Sequence, residues 1–548
     1  MKNVVAAVSA VAVALVAAAG GEVPSASVRG SQMSCETKKA LVVMLDGFRA
    51  DALDNADAPN MRSLRDGTWR EEYKGAYSLS ATAIRDASTY SAPNHVAIAC
   101  GVTAAKSCVK NNGANRCDHA KWPSWLVRLV EAQPERKTLF AFEWPWDASI
   151  SPNPSVEFVN GFDADNAAEV AKRLAAPDGP DATLFYINAP DYAGHGTAGF
   201  YPCNAEYLGA VHVADCMIGD CLAAIASRPT FKYEDWLIVV TSDHGGFGSG
   251  HTGVASHGTT IPLIVAGRRV EGGRIPGIPC NCDIAPTVLG HFGVDVEGMG
   301  LDGTVLAAVA GETGRPARPL KEGLVAYLPF DDGGKGGVVG GCLNVNTGKN
   351  GVPYMKVEGT ENTNFENDAD FALTMWVKMD GRQNGDPLLA GNKDWRKGTN
   401  PGLAVTASKA LGRVKEPGVC LNAGSKGEEG RVNVGVFIQD SREWVFYAAT
   451  RTSDGVVTFF QGMPDGRLYF ISEDGSDIVS ATGMPFYIGQ DGTGTYKDAF
   501  AGSFDEFALW GRSLSHGEVR RIFEAGRRGV ELRELIGEAR YSSAGKRK

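Results

Sequence analysis

Between residues 38 and about 310, short apolar runs alternate with longer stretches of helical patterning. ALVVML (40–45), TLFAF (138–142), TLFYIN (183–188), WLIVVT (236–241) and IPLIVAG (261–267) are rich in β-branched and aromatic residues, which favour strands. Between them lie patterns such as WPSWLVRLVEA (122–132) and YLGAVHVADCMIGDCLAAIA (207–226). Strands that alternate with helices imply an α/β fold, a mainly parallel sheet with helices on both faces. The pattern stops at GETGRPARPLKEG (311–323), a polar stretch with Pro316 and Pro319. Beyond it, alternating segments such as LVAYLPF, FALTMWVKM, VNVGVFI and VTFFQG replace the helix signals and predict an all-β sandwich. The expected organisation is an α/β domain over 38–311, a linker over 312–322, a sandwich over 323–528 and a charged tail over 529–548. Few contacts are expected to cross the linker, so a chain ending near Arg315 should fold alone.

The N-terminus reads separately. Lys2 precedes an apolar run from Val4 to Ala18, and Ala17 to Gly20 are small enough for a cleavage site. This is a signal-peptide pattern over 1–20, so the mature chain is expected to be secreted or periplasmic. No later run approaches 18 consecutive apolar residues, so no transmembrane span is expected in the mature chain. The net charge of −10 gives no basic footprint for nucleic acid. Eleven cysteines, most between Cys35 and Cys282 with Cys342 and Cys420 later, predict several disulfides in an oxidising compartment and leave at least one thiol over. Cys280-x-Cys282 is too tight for a comfortable bond within the pair, and no CxxC supports a zinc–thiolate site.

In doubly wound sheets, ligands bind beyond the carboxyl ends of the strands. ALVVMLDG ends in Asp46; TLFYINAPDYAGH ends in Asp191, with His195 four residues on; WLIVVTSDHGG ends in Asp243 and His244, with His251 beyond. Any one could be a capping Asp or a satisfied loop His. Three strands delivering acids and imidazoles to one edge point to zinc or a similar divalent ion. STYSAPNHVAIACG (88–101) adds a hydroxyl. Ser91 stands just before Pro93, at the start of an expected helix, where free N–H groups and the dipole favour an anion. It could be a simple N-cap. Beside a metal, its hydroxyl ionises more readily and becomes a nucleophile for a tetrahedral anion.

The order Asp46, Ser91, Asp191-x-x-x-His195, Asp243-His244, His251 resembles the alkaline phosphatase superfamily. LDGFRAD, SAPNH, PDYAGH and TSDHGG are most similar to its type I phosphodiesterase / nucleotide pyrophosphatase branch, over roughly residues 38 to 310. The resemblance implies two zinc ions, other divalent metals being possible. One would be held by Asp46, Ser91, Asp243 and His244, the other by Asp191, His195 and His251. It also implies a phosphate-binding Asn112, with Asn111 as the competing choice, and a phosphoseryl intermediate on Ser91 in the hydrolysis of a phosphate ester, monoester or diester. Two departures stand out: Ser91 replaces the usual Thr, and His251 is followed by Thr252, so His257-Gly258 competes for the ligand role. Sulfatases share the fold but need Arg where this chain has His95. A cofactor-independent mutase would need an insertion between the metal motifs. GLVAYLPFDD and FAGSFDEFALWGRSLSHGEVRRIFEAG (500–526) resemble laminin-G / concanavalin A-like jelly rolls, which implies a possible glycan or surface-protein partner. The rival reading is a non-catalytic adhesin that retains a dead hydrolase.

Overall fold

The computed structural model describes residues 37–537 except 85, 197–198, 253–255, 307–318, 332–333, 346–354, 359, 361–369, 382, 412–415, 425–431, 438–441, 477, 479–481, 494, 497 and 499. The expected signal segment lies outside the described residues, as do most of the linker and the end of the tail.

The first lobe is built on an eight-stranded sheet. Its strands are β1 (Thr37–Leu45), β2 (Lys74–Thr82), β3 (Thr138–Phe142), β4 (Val156–Asn160), β5 (Ala182–Ile187), β6 (Glu234–Ser242), β7 (Thr260–Gly267) and β8 (Gly273–Arg274). They lie in the order β4-β3-β5-β1-β6-β7-β2-β8. The run from β4 to β6 is parallel, and β7 pairs antiparallel with both β6 and β2. The sheet is therefore mainly parallel, as expected, with an antiparallel edge that IPLIVAG opens. Strand β2, KGAYSLSAT, has no sequence signal of its own because small residues stand where β-branched ones would. Both faces of β1 are dry. Leu41, Val43 and Leu45 enter one apolar cluster, and Ala40, Val42 and Met44 enter another. That is why its sequence is an unbroken apolar run.

The second lobe is an antiparallel sandwich. Gly502–Trp510 pairs with Phe371–Met379, which leads on to Val445–Arg451, Val456–Gly462 and Leu468–Asp474; the facing sheet is built around Leu388–Gly391, Leu403–Leu411, Glu416–Ala423 and Val432–Phe437. In Phe371–Met379, the side chains of Phe371, Leu373, Met375 and Val377 fill the space between the sheets. Ala372 and Trp376 point the other way, into the cluster that also holds Val519, Ile522 and Phe523 of the helix His516–Arg527. Period-two alternation thus gives two apolar faces, because the outer one is covered by a helix.

The expectation that few contacts cross between the lobes does not hold. One apolar cluster runs from Leu64 and Leu79 of the first lobe to Leu468, Phe470 and Trp510 of the second. Thr260 Oγ1 donates to Ser472 O at 3.1 Å, Arg274 pairs with Asp454 at 2.7 Å, and Arg467 Nη1 donates to Cys203 O at 3.1 Å. A cavity of about 110 Å³ between the lobes is lined by Arg49, Tyr201, Phe247, His257, Met463 and Tyr469, among others. The polar linker says nothing about the faces it joins, and these faces are apolar.

The helix Ala205–Ala226 is long and apolar enough to cross a membrane by length and composition alone. Here Tyr207, Val211, Ile218 and Ile225 pack it into the core, and its buried Asp215 accepts from the N–H groups of Asn60 and Met61 at 3.1 and 2.7 Å. The ten described cysteines are free thiols, and Cys35 lies outside the described residues. No disulfide is formed among them in this structure, although Cys100 adjoins Cys117 and Cys280 adjoins Cys282 through side-chain hydrogen bonds.

Candidate metal centre and nucleophile

The register of three central strands assembles the site. Leu45 of β1 lies opposite Ile187 of β5 and Ser242 of β6, so the three strands end level. Asp46, the segment leading to Asp191, and Asp243-His244 therefore leave the sheet at one edge. After Asp46 the chain turns at Gly47, with φ +66°, where an added Cβ would lie 2.8 Å from Phe200 and 2.9 Å from the Asp191 backbone. The Gly47 N–H donates to Asp243 Oδ1 at 3.0 Å, as does the His244 N–H at 2.8 Å. These bonds leave Asp243 Oδ2 to face the site.

The imidazoles are held in a common way. The ring Nδ1 of His244 lies 2.8 Å from Gly245 O, that of His195 lies 2.8 Å from Ser249 O, and that of His251 meets Thr89 O. Only a protonated Nδ1 can bond to a carbonyl, which turns each Nε2 lone pair toward the site. His244 Nε2 lies 3.3 Å from Asp46 Oδ1, 3.2 Å from Asp243 Oδ2 and 3.3 Å from Ser91 Oγ. His195 and His251 bring their Nε2 atoms within 3.1 Å of each other, and Asp191 is 3.5 Å from His195.

Ser91 opens the helix Ser91–Cys100, which closes at Gly101 with φ +71°, a conformation that favours glycine. Tyr90, at the N-cap position, supplies no side-chain cap. Asn112 reaches in from a loop and accepts from the Ala92 N–H at 3.0 Å, which leaves its carboxamide NH2 as a donor. Asn111 instead closes its own turn onto the Gly113 N–H at 2.9 Å.

Electrostatics show what the cluster lacks. Burial and the nearby Asp243 and Asp191 carboxylates push Asp46 well above the usual carboxylate range. Burial, with Asp243 beside it, pushes Asp191 up to about 8. Burial opposes the charge on Asp243 too, but His244, His95 and the Gly47 N–H hold it below its ordinary value. Burial and the neighbouring His244 pull His251 down to about 3. Asp46 Oδ1, Asp191 Oδ1 and Asp243 Oδ2 are buried with no hydrogen-bond partner. Dry carboxylate oxygens without donors, facing imidazole lone pairs, fit a divalent cation. Two groups of ligand atoms lie within 4.8 Å of one another, Asp46/Asp243/His244 and Asp191/His244/His251, so His244 belongs to both.

All eight residues singled out in the sequence lie at this edge, and His251 rather than His257 joins them. His257 lines the cavity between the lobes, its ring 5.2 Å from Phe247. Sequence reasoning missed His95, Asp147 and Tyr186. His95 is buried one helical turn after Ser91; its Nδ1 lies 2.8 Å from Asp147 Oδ1 and its Nε2 3.4 Å from Asp243 Oδ2. Tyr186 donates to Asp46 Oδ2 at 2.7 Å. The spacing of Ser91 and His95, which puts them on one helix face, was the available signal. Asp147 lies in a 3-10 turn far along the chain and had none.

Fold and site together define a mainly parallel α/β domain with a candidate metal centre at its strand ends, docked on an antiparallel sandwich. Residues 40–248 match the type I phosphodiesterase / nucleotide pyrophosphatase family, and residues 350–520 match the concanavalin A-like lectin/glucanases superfamily. The chain thus carries one region similar to that phosphodiesterase family and a second region similar to concanavalin A-like domains. The first match ends before His251. The bis(5'-adenosyl)-triphosphatase ENPP4 of Pongo abelii is 25% identical over 242 residues, which is 40% of this chain and 49% of the relative. The chain therefore spans about half the length of that curated relative. Among solved structures, murine ectonucleotide pyrophosphatase / phosphodiesterase 5, in an inactive form with AMP, aligns with a TM-score of 0.36 and 14% identity over 47% of this chain and 96% of that one. A 2-O GAG sulfatase aligns with a TM-score of 0.40 and 13% identity over 52% of this chain and 76% of that one.

Proposed function

We propose that this chain is an exported, metal-dependent hydrolase of phosphate esters with Ser91 as nucleophile. The convergence of Ser91 Oγ, three orphaned carboxylate oxygens and three imidazole Nε2 atoms on one sheet edge carries this reading. Asp46, Ser91, Asp243 and His244 would hold one divalent ion, and Asp191, His195 and His251 a second, zinc being the ion we favour. Such ions supply Lewis acidity and lower the pKa of hydroxyl groups bound to them.

The chain's own residues do the rest. The Ser91 helix directs the positive end of its dipole at the phosphoryl group, and the Asn112 carboxamide donates to a phosphoryl oxygen. Ser91 Oγ forms a bond to phosphorus as the bond to the leaving oxygen breaks; the Ser91 proton passes to solvent before or during attack, and the leaving oxygen takes up a proton from solvent. Water then cleaves the phosphoseryl ester and frees Ser91. Gly47 and the His244 N–H hold the Asp243 carboxylate in place through both steps. The second lobe would bind a glycan or a surface protein and keep the enzyme near large substrates.

Parallel assays of an aryl phosphate, an aryl phosphodiester and an aryl sulfate on purified protein, with and without chelator, test this reading. Chelator-sensitive cleavage of a phosphate ester supports it. Cleavage of the sulfate alone refutes it. Folded protein that binds no divalent ion and cleaves nothing favours the adhesin.

A further inference from the structure

The loop that carries Asn112 is exposed and has no regular structure from residue 110 to residue 116. A residue meant to hold a phosphoryl oxygen gains little from a loose support, since orientation is lost as the loop wanders. Three side chains fasten the loop. Trp146 Nε1 donates to Gly113 O at 2.7 Å, and Asn115 Nδ2 donates to Ser149 Oγ at 2.8 Å. The third fastening is sulfur. Cys117, at the far end of the loop, packs against the same apolar cluster that buries Cys100, the last residue of the Ser91 helix. The two thiols share a hydrogen bond. His119 stands beside both: its Nδ1 is 3.9 Å from Cys100 Sγ, and it is hydrogen-bonded to Cys117. Neither candidate metal cluster among the described residues includes these groups.

We propose that Cys100 and Cys117 close into a disulfide in the exported protein, and that this bond pins the Asn112 loop to the helix that starts at Ser91. Catalytic and phosphate-binding groups would then sit on one covalently closed unit, with Ser91 at one end of the helix and the disulfide at the other.

The chemistry balances as thiol–disulfide exchange with an external disulfide such as glutathione disulfide. The Cys117 thiol gives its proton to solvent, and its thiolate attacks one sulfur of the oxidant. One glutathione thiolate leaves, and Cys117 carries a mixed disulfide. Cys100 then loses its proton and attacks the Cys117 sulfur, expelling the second glutathione. Two electrons pass to the oxidant, and two protons end on the released thiols. Cys117 suits the first step: hydrogen bonding from Cys100 and the nearby His119 bring its thiol down to about 6. Cys100 is buried and raised well above the ordinary thiol range, which suits the resolving role.

The test is peptide mapping of the full chain after equilibration with glutathione disulfide and blocking of free thiols with N-ethylmaleimide. Lys106, Lys110 and Arg116 lie between the two cysteines, so trypsin separates their peptides unless a disulfide joins them. The expected result is one linked pair, Cys100–Cys117, with exposed Cys108 and Cys216 alkylated. Alkylation of both Cys100 and Cys117, or linkage of Cys117 to Cys108, overturns the proposal. The kinetic consequence rests on the proposed role of Asn112. A phosphine reductant should raise KM for an aryl phosphodiester several-fold with a smaller change in kcat, and should speed hydrogen exchange over residues 109–116. Cys117→Ser should show the raised KM from the start and ignore the reductant. An unchanged KM and exchange rate on reduction would refute the pinning. If the protein cleaves no ester at all, the hydrolase reading fails, and the disulfide map still decides the bond.

Discussion

Metal-free protein should become less stable as pH rises, and Asp191→Asn should remove much of that loss. Asp191 lies in the first turn of the helix Ala189–Gly196, just beyond the end of β5, with Asp243 nearby, and its folded pKa is raised from 3.8 to about 8. A raised carboxyl favours the folded state fully below the unfolded pKa, and that advantage is lost as pH climbs through the folded pKa. The window is therefore about pH 4 to 8. A shift of about four units at ~1.4 kcal/mol per unit sets an upper bound on the order of 6 kcal/mol. The side chain is 14% exposed and two other carboxylates share the field, so the realised loss should be well under that bound. Even a third of it is large beside a domain stability of about 5–15 kcal/mol. Thermal unfolding of chelator-treated protein between pH 5.5 and 8.5 (about the middle and the end of that window) reads the effect. Wild type should lose several degrees of Tm toward high pH, Asp191→Asn should lose clearly less, and added zinc should flatten the wild-type slope. Identical slopes for wild type and variant would refute the electrostatic reasoning. A variant less stable than wild type at pH 8.5, metal-free, would mean that the carboxylate has a structural partner.

Three further outcomes follow from the same geometry. Ser91→Ala should leave the fold and most zinc binding intact while kcat falls by at least about 10²-fold; substantial activity after metal reconstitution would remove Ser91 from the mechanism. His251→Ala should lose zinc and His257→Ala should not, because only His251 faces the carboxylates; metal analysis of the two purified variants decides. A chain cut near Arg315 should be poorly soluble or unfold at lower temperature, because it exposes the apolar face around Leu79 that Leu468 and Phe470 cover; a soluble, zinc-loaded fragment with the full Tm would show the docking to be dispensable.

Loss of His95 tests the neighbouring scaffold. His95→Leu keeps most of the volume but removes the link between Asp147 and Asp243, and should weaken zinc binding by about 10–100-fold, as outer partners of metal ligands do. Isothermal titration of metal-free protein measures it, and unchanged affinity would show that Asp243 needs no such support.

The sequence by itself determined the alternation that makes a doubly wound sheet, the change to a sandwich and the residues at the strand ends. Those signals are local: strand and helix periods, and an acid or imidazole placed where a strand stops. Tertiary structure decided the rest. Asp46, Asp191 and Asp243 meet because Leu45, Ile187 and Ser242 are in register, and register depends on pairing between segments far apart in the chain. His251 and His257 are six residues apart with the same local chemistry, and only the fold of the loop after β6 puts one beside Asp191 and the other in the cavity between the lobes. His95 and Asp147 become partners across 52 positions. The docking of the lobes was equally hidden. Residues such as Leu468 and Phe470 alternate on a strand like any others, and whether an apolar face meets water, a helix or another lobe is fixed only when the whole chain packs.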